Sequence, residues 1–139
     1  MANATADRDA KRQDGKLRAG KMAAVRIFKG VLCSVNNAGY VTNGSDSATD
    51  TAFAGVSYEA KDNSAGAAGD QSIRLEKTGE YEFNYSGVLT QADIGKVVYV
   101  LDNTTVGLTG VSVNHVACGT ITEMVSAAKA RVRIDGYAR

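Results

Sequence analysis

Short runs of strict apolar/polar alternation, separated by glycine- and asparagine-rich turns, constrain this chain more than any other feature. Ile73 and Leu75 alternate with Ser72, Arg74 and Glu76, and Tyr81, Phe83 and Tyr85 alternate with Glu80, Glu82 and Asn84. A period of two suits a strand with one buried face and does not suit an amphipathic helix. Lys77-Thr78-Gly79-Glu80 lies between the two runs, so the segment reads as a hairpin with one aromatic-aliphatic face and one charged face. The chain has fifteen glycines and no proline, so glycine supplies most of the punctuation between strands.

The same pattern recurs along the chain. Val25, Ile27, Val31, Cys33 and Val35 share one parity and read as a long strand, bulged near Lys29-Gly30. A turn at Asn36-Asn37-Ala38-Gly39 and a short return strand from Tyr40 follow, then a strand from about Thr51 to Ala60. Residues 62–70 are small and polar and read as an exposed loop. Thr90-Gln91-Ala92-Asp93 fits one helical turn, with Thr90 capping, Asp93 where the dipole favours an anion, and Gly95 ending it in the left-handed region. Val97 to Leu101 is a run of five apolar β-formers, which predicts a strand covered on both faces, by the core or by another subunit. Further strands are expected in Val106–Leu108, Val111–Val125 and Ala130–Ile134, with Val132 and Ile134 facing away from Arg131 and Arg133. No helical stripe exceeds one or two turns. The expected fold is all-β: a small antiparallel β-barrel or sandwich with an extended, irregular N-terminal arm.

That arm is residues 1–21. It carries Arg8, Lys11, Arg12, Lys16, Arg18 and Lys21 against three aspartates, a net charge of +3, while the remaining 118 residues carry −2. Its only large apolar residues are Met1 and Leu17, too few to offset the entropy of ordering it. Extended, it would reach roughly 70 Å. The reading is an arm that orders on a partner, followed by a single β domain over residues 22–139. Removing residues 1–20 is then expected to leave a folded domain that binds its partner weakly.

Catalytic and metal chemistry find little support. The one histidine, His115, shares a strand face with Val111, Val113 and Ile121 in this reading, and no carboxylate has a spacing that ties it to the ring. Gly110-Val111-Ser112-Val113 lacks the second glycine of a nucleophile elbow, because Asn114 stands there. Cys33 and Cys118 are 85 positions apart with no metal-ligand neighbours, and read as small buried hydrophobes. Asp46, Asp50, Asp62 and Asp70 read as solvated loop carboxylates and lack calcium-loop spacing. The expectation is no enzyme, no cofactor and no metal. The arm has cations for phosphate but no aromatic residue for stacking bases, so nucleic acid is not the expected partner. No run approaches the ~20 apolar residues of a membrane span, and no apolar signal core opens the chain.

One segment carries a family likeness. Gln91-Ala92-Asp93-Ile94-Gly95-Lys96-Val97-Val98-Tyr99-Val100, followed by Asp102-Asn103-Thr104-Thr105-Val106, resembles the small capsid decoration, or cement, proteins of tailed bacteriophages and prophages. Gly30-Val31-Leu32, Phe53-Ala54-Gly55-Val56, Gly69-Asp70 before Ile73-Arg74-Leu75, Gly79-Glu80-Tyr81-Glu82-Phe83, Gly119-Thr120-Ile121 and Ala130–Ile134 fall in the same order. The chain departs from the pattern at Val97, where proline is expected in many relatives, and at Cys118.

The resemblance implies a structural virion protein, made in the cytoplasm of a bacterial host and placed on the outer surface of the expanded head. There it would bridge neighbouring major capsid proteins, as a homotrimer at threefold positions. The arm cations would be attachment charges. Tyr81, Phe83, Val97, Tyr99 and Leu101 would serve as core or subunit-interface anchors. The alternatives are a head-fibre base or a host-surface adhesion module of the virion, a thiol hydrolase using Cys33 and His115, and a DNA-binding protein.

Overall fold

The structure, a computed structural model, describes Ala6 and residues 15–139. Arg8, Lys11 and Arg12 lie outside the described residues. The described chain is all-β, with twelve strands, numbered in chain order, and a single 3₁₀ turn at Gln91–Asp93. Five strands form an antiparallel sheet in the order β1 (Leu17–Lys21), β7 (Ser72–Glu76), β5 (Asp50–Ser57), β3 (Leu32–Asn36) and β4 (Val41–Asn43). Five more close into a barrel in the order β10 (Thr105–Gly107), β8 (Glu80–Tyr85), β12 (Lys129–Arg133), β11 (Ala117–Ser126) and β9 (Val97–Val100). Only the β10–β8 pair of the barrel is parallel. A two-stranded ribbon joins β2 (Arg26–Ile27) to β6 (Lys61–Asp62).

Period-two alternation divides the interior into two cores. On β3, Leu32 joins the barrel core while Cys33 joins the core of the first sheet. On β5, Phe53 and Val56 go to the barrel core and Ala54 to the other. The barrel core is completed by Phe83, Val98, Val100, Val106, Ile121 and Val132, all buried. The second core gathers Met22, Ile27, Val31, Val41, Ile73 and Leu75. One sheet therefore serves both cores, because successive side chains leave a strand on opposite faces.

Several expectations change here. The supposed hairpin does not exist: β7 pairs with β5 and β1, whereas β8 pairs with β12 and β10. Lys77-Thr78-Gly79 carries the chain from one sheet to the other, with Gly79 at φ +113°. Alternation marks a strand and its inner face, but it says nothing about the partner. The long strand predicted from Val25 splits at Gly30 (φ +77°) into β2 and β3, which lie in different sheets. The last five residues assigned to the arm form β1, paired with β7 from Leu17↔Glu76 to Lys21↔Ser72. The ladder satisfies backbone groups that a polar segment would otherwise leave to water. Val97 to Leu101 is not covered on both faces. Val98 and Val100 are fully buried in the barrel, whereas Val97, Tyr99 and Leu101 are half-buried on its outside.

Other readings hold. β3 and β4 form the expected hairpin, with Cys33↔Asn43 and Val35↔Val41 opposite each other. Gly39 turns it at φ +87°. At the 3₁₀ turn the Asp93 carboxylate accepts from Thr90 N (3.0 Å) and Lys96 Nζ (2.9 Å), and Gly95 is left-handed at φ +88°. Val132 and Ile134 are buried while Arg133 is exposed.

Candidate functional site

The first sheet is an incomplete barrel. Its two edge strands, β1 and β4, meet at one parallel bridge, Met22↔Val41, where Ala23 N donates to Val41 O at 2.9 Å. At that end Met22, Ile73 and Cys33 fill the interior. At the other end a cavity of about 330 Å³ opens between the two edges. Its walls are Val35, Val41, Ala52 and Leu75, and its cations are Arg18, Lys77 and Arg139. Small residues make the space: Gly20 lies so close to β4 that a Cβ there would sit 2.6 Å from a Val41 methyl.

Strand parity explains why charges meet an apolar wall. Residues 18, 20 and 22 share a face of the first strand, and residues 73, 75 and 77 share a face of the seventh and its continuation. The inward series therefore begin as Met22 and Ile73 and end at the mouth as Arg18 and Lys77. Lys77 N donates to Lys16 O at 2.9 Å, which extends the β1–β7 ladder by one step. Lys77 is half-buried. Its ammonium donates to the main-chain oxygen of Ala54, and to that of Arg139 at 2.6 Å. Burial, and then the neighbouring Arg18 guanidinium, hold its pKa below the ordinary lysine value. Among the described residues lining the mouth there is no Asp or Glu.

The sequence-predicted residues divide between this mouth and other places. Arg18 lines it, and Lys21 is exposed at the far end of the same strand. Nothing in the composition of the N-terminal segment points to Lys77 or Arg139. The signal was available for Lys77, since it continues the Ile73, Leu75 parity past the end of the strand. Arg139 had none, because it reaches the mouth only when its N–H donates to Phe53 O at 2.8 Å. Phe83 is a barrel-core residue. Tyr81 packs half-buried against that core, 6.3 Å from the Phe83 ring, and donates its hydroxyl to the Glu76 carboxylate of the other sheet. It is thus a clip between the two sheets, and burial followed by Glu76 pushes its pKa up. Tyr99 meets His115 edge to face at 5.3 Å.

The loop before β11 differs from the predicted strand. His115 adopts φ +56°, and residues 108–116 form a turn rather than a ladder. Asp46, expected to be a solvated carboxylate, clamps that turn. Its two oxygens accept from Val113 N and Asn114 N, both at 2.8 Å, and Asn114 Nδ2 donates to Asp46 O at 2.9 Å. The main-chain bonds hold the Asp46 carboxyl below the usual carboxylate range. A group whose pKa is depressed by folding stabilises above its unfolded value, and this stabilisation is lost as pH falls through the folded value. Protection of the Val113 and Asn114 amides, relative to their intrinsic exchange rate at each pH, is therefore expected to be flat above about pH 4 and to fall below the ordinary aspartate value of about 3.9. Asp46→Asn, with one acceptor oxygen for two N–H groups, should speed their exchange near neutrality. An unchanged exchange rate in the variant would remove the clamp.

Both cysteines are fully buried, one in each core, and burial pushes both thiols up to about 12. A thiol-specific disulfide reagent at pH 8 is expected to label neither in the native protein and both in guanidinium, since the thiolate is the reactive form. Rapid labelling of native Cys33 would overturn this. The described residues contain no group of three or more His, Cys, Asp or Glu able to hold a metal ion, and no helix among them is long and apolar enough to cross a membrane. Comparison with protein-family models, curated proteins and solved structures gives no match.

Proposed function

We propose that the protein is a structural virion component that attaches to the outside of an expanded phage head and stabilises it by bridging major capsid proteins. The observation that carries this reading is the cation-lined mouth at β1. The charged segment 1–16 leads in sequence to that strand, so the arm charges and one mouth cation, Arg18, lie on one continuous stretch of chain. The likeness of residues 91–106 to capsid decoration proteins supports it further. That segment builds the 3₁₀ turn and the wall strand β9 of the closed barrel. A double-cored β module in which one sheet is closed into a barrel suits a part that must stay folded under load. Three such modules linked in a trimer would multiply weak contacts by effective concentration.

Co-sedimentation with purified expanded heads tests the reading, together with mass measurement of the free protein. The full chain should saturate the shell. A chain lacking residues 1–14 keeps all of β1 and should bind at least tenfold more weakly. Equal occupancy of shells by the two chains, or no binding by the full one, rejects the proposal.

A second reading, an adhesion module of the virion, is favoured by one observation. Phe28 and Tyr58 are exposed rings, each stacked by a guanidinium, Arg26 at 4.6 Å and Arg74 at 4.9 Å. Negative-stain images separate the two, since a fibre base projects and a decoration module lies low on the shell.

A further inference from the structure

Two buried side-chain oxygens among the described residues have no hydrogen-bond partner, Ser34 Oγ and Asn63 Oδ1. A hydroxyl can turn, whereas the Asn63 amide is fixed. Its Nδ2 donates to Ala23 O at 3.1 Å and to Ala67 O at 3.0 Å, which leaves Oδ1 as an acceptor on the other side. Asn63 is 1% exposed, and a bare acceptor at that depth is costly.

This oxygen faces Gly66, in the loop between β6 and β7. A Cβ at Gly66 would stand 2.6 Å from Asn63 Oδ1 and 3.0 Å from Asp70 Oδ2. Two oxygens therefore converge on the space left by a missing side chain. An amide oxygen and a carboxylate cannot bond to each other, so what stands between them is a donor or a cation. Asp70 Oδ2 accepts from Ala67 N at 2.8 Å, and Asp70 Oδ1 accepts from no described residue. The frame is held in place, since Gly66 N donates to Asn63 O, Asp70 N to Ala67 O and Gly69 N to Met22 O. Residues 64–68 and Asp70 are exposed, so the space lies at the surface above the buried amide.

We propose that Asn63 Oδ1 and the Asp70 carboxylate bind a calcium ion, with main-chain oxygens of the loop or water completing its shell. An all-oxygen donor set suits a hard cation and not the softer metals that take thiolate or imidazole. Calcium accepts irregular oxygen shells, whereas magnesium demands a near-ideal octahedron. A single carboxylate sets the affinity in the weak range, about 10⁻⁴–10⁻³ M. Such a site differs in kind from a cluster of three acidic or histidine ligands. It stands apart from the attachment reading and does not depend on it.

Calorimetric titration of the chelator-treated full chain with calcium chloride tests this. One equivalent should bind with a Kd of about 1 mM or below, and magnesium should bind at least fivefold more weakly. Calcium should also raise the melting temperature, because it binds the folded loop. Asp70→Asn keeps an acceptor for Ala67 N but removes the charge, and should weaken binding at least tenfold. Gly66→Ala fills the space and should do the same. Asp70 is exposed, so an unchanged calcium-free melting temperature separates loss of a ligand from damage to the fold, even where Gly66→Ala shifts the loop. Asp102→Asn is the control for loop carboxylates in general, since Asp102 also accepts from a main-chain N–H, Thr104 N at 2.8 Å. Its variant should bind calcium as the parent does. Terbium reports on the same place. Tyr40 packs against Gly69, where a Cβ would lie 3.2 Å from the ring, so tyrosine-excited terbium emission should appear and be lost in Asp70→Asn. No calcium binding, which leaves a bridging water as the occupant, overturns the proposal. So does equal binding of magnesium, indifference to Asp70→Asn, or an equal loss in Asp102→Asn.

Discussion

Replacing Gly55 by alanine is expected to remove about 3 kcal/mol or more of stability. Two independent penalties meet at this residue. Its φ is +135°, where an L side chain is strained, at a cost of ~1–3 kcal/mol. A Cβ there would also stand 2.4 Å from the carbonyl oxygen of Glu76, a main-chain atom of the neighbouring strand. Relief requires the β5–β7 ladder to move, and such overpacking costs a further ~1–3 kcal/mol. The glycine sits at an irregularity of β5, where Cys33 pairs with Gly55 but Ser34 pairs with Phe53. The irregularity keeps Phe53 and Val56 in the barrel core while Ala54 stays in the other. Gly30→Ala is the comparison: φ is +77° with nothing within 4 Å of a new Cβ, so only the left-handed cost of ~1–2 kcal/mol applies. Denaturant unfolding measures both. Equal losses would mean that the close approach to Glu76 is not a constraint.

Deleting residues 1–20 is expected to destabilise the protein by about 2–4 kcal/mol, whereas a chain beginning at Gly15 should match the full one within about 0.5 kcal/mol. The shorter chain loses nearly all of the β1–β7 ladder, with ~0.5–1.5 kcal/mol net for each hydrogen bond lost. It also turns β7 into an edge and uncovers Ile73 and Leu75, both buried in the second core. Thermal melting compares the two. Superimposable melts would return β1 to the arm. This result also governs how attachment is read, since weak binding by a chain cut at 20 reports a damaged sheet and a lost mouth cation together. Cutting at 14 separates the arm from the fold.

Part of the candidate site was legible beforehand and part was not. The positive character of the N-terminal segment is a matter of composition, and Arg18 follows from it. Asp93 was placed at its turn because a capping pattern is local. From sequence Lys77 is a turn residue, since its role appears only when β7 lies beside β1 and its side chain enters the space between β1 and β4. Arg139 depends on residues 135–139 folding back, with the Asp135 carboxylate accepting from Gly79 N at 2.7 Å. Asp46 and the 113–114 turn are about 67 positions apart, a pairing that no local pattern announces.

The sequence alone determined that the chain is built of strands, where many of them turn, and which side of a strand such as Ile73–Leu75 or Val132–Ile134 goes inward. These follow from pleat geometry and from glycine's access to positive φ, which act over a few residues. Tertiary structure alone decided that β7 and β8 part company, that β8 to β12 close a barrel, that the first sheet stays open at Arg18, and that Leu17–Lys21 is a strand rather than an arm. The physical reason is that a strand's backbone groups accept any edge of suitable register. The choice among edges is made by the burial that distant segments achieve together, set against the entropy of closing the loops between them.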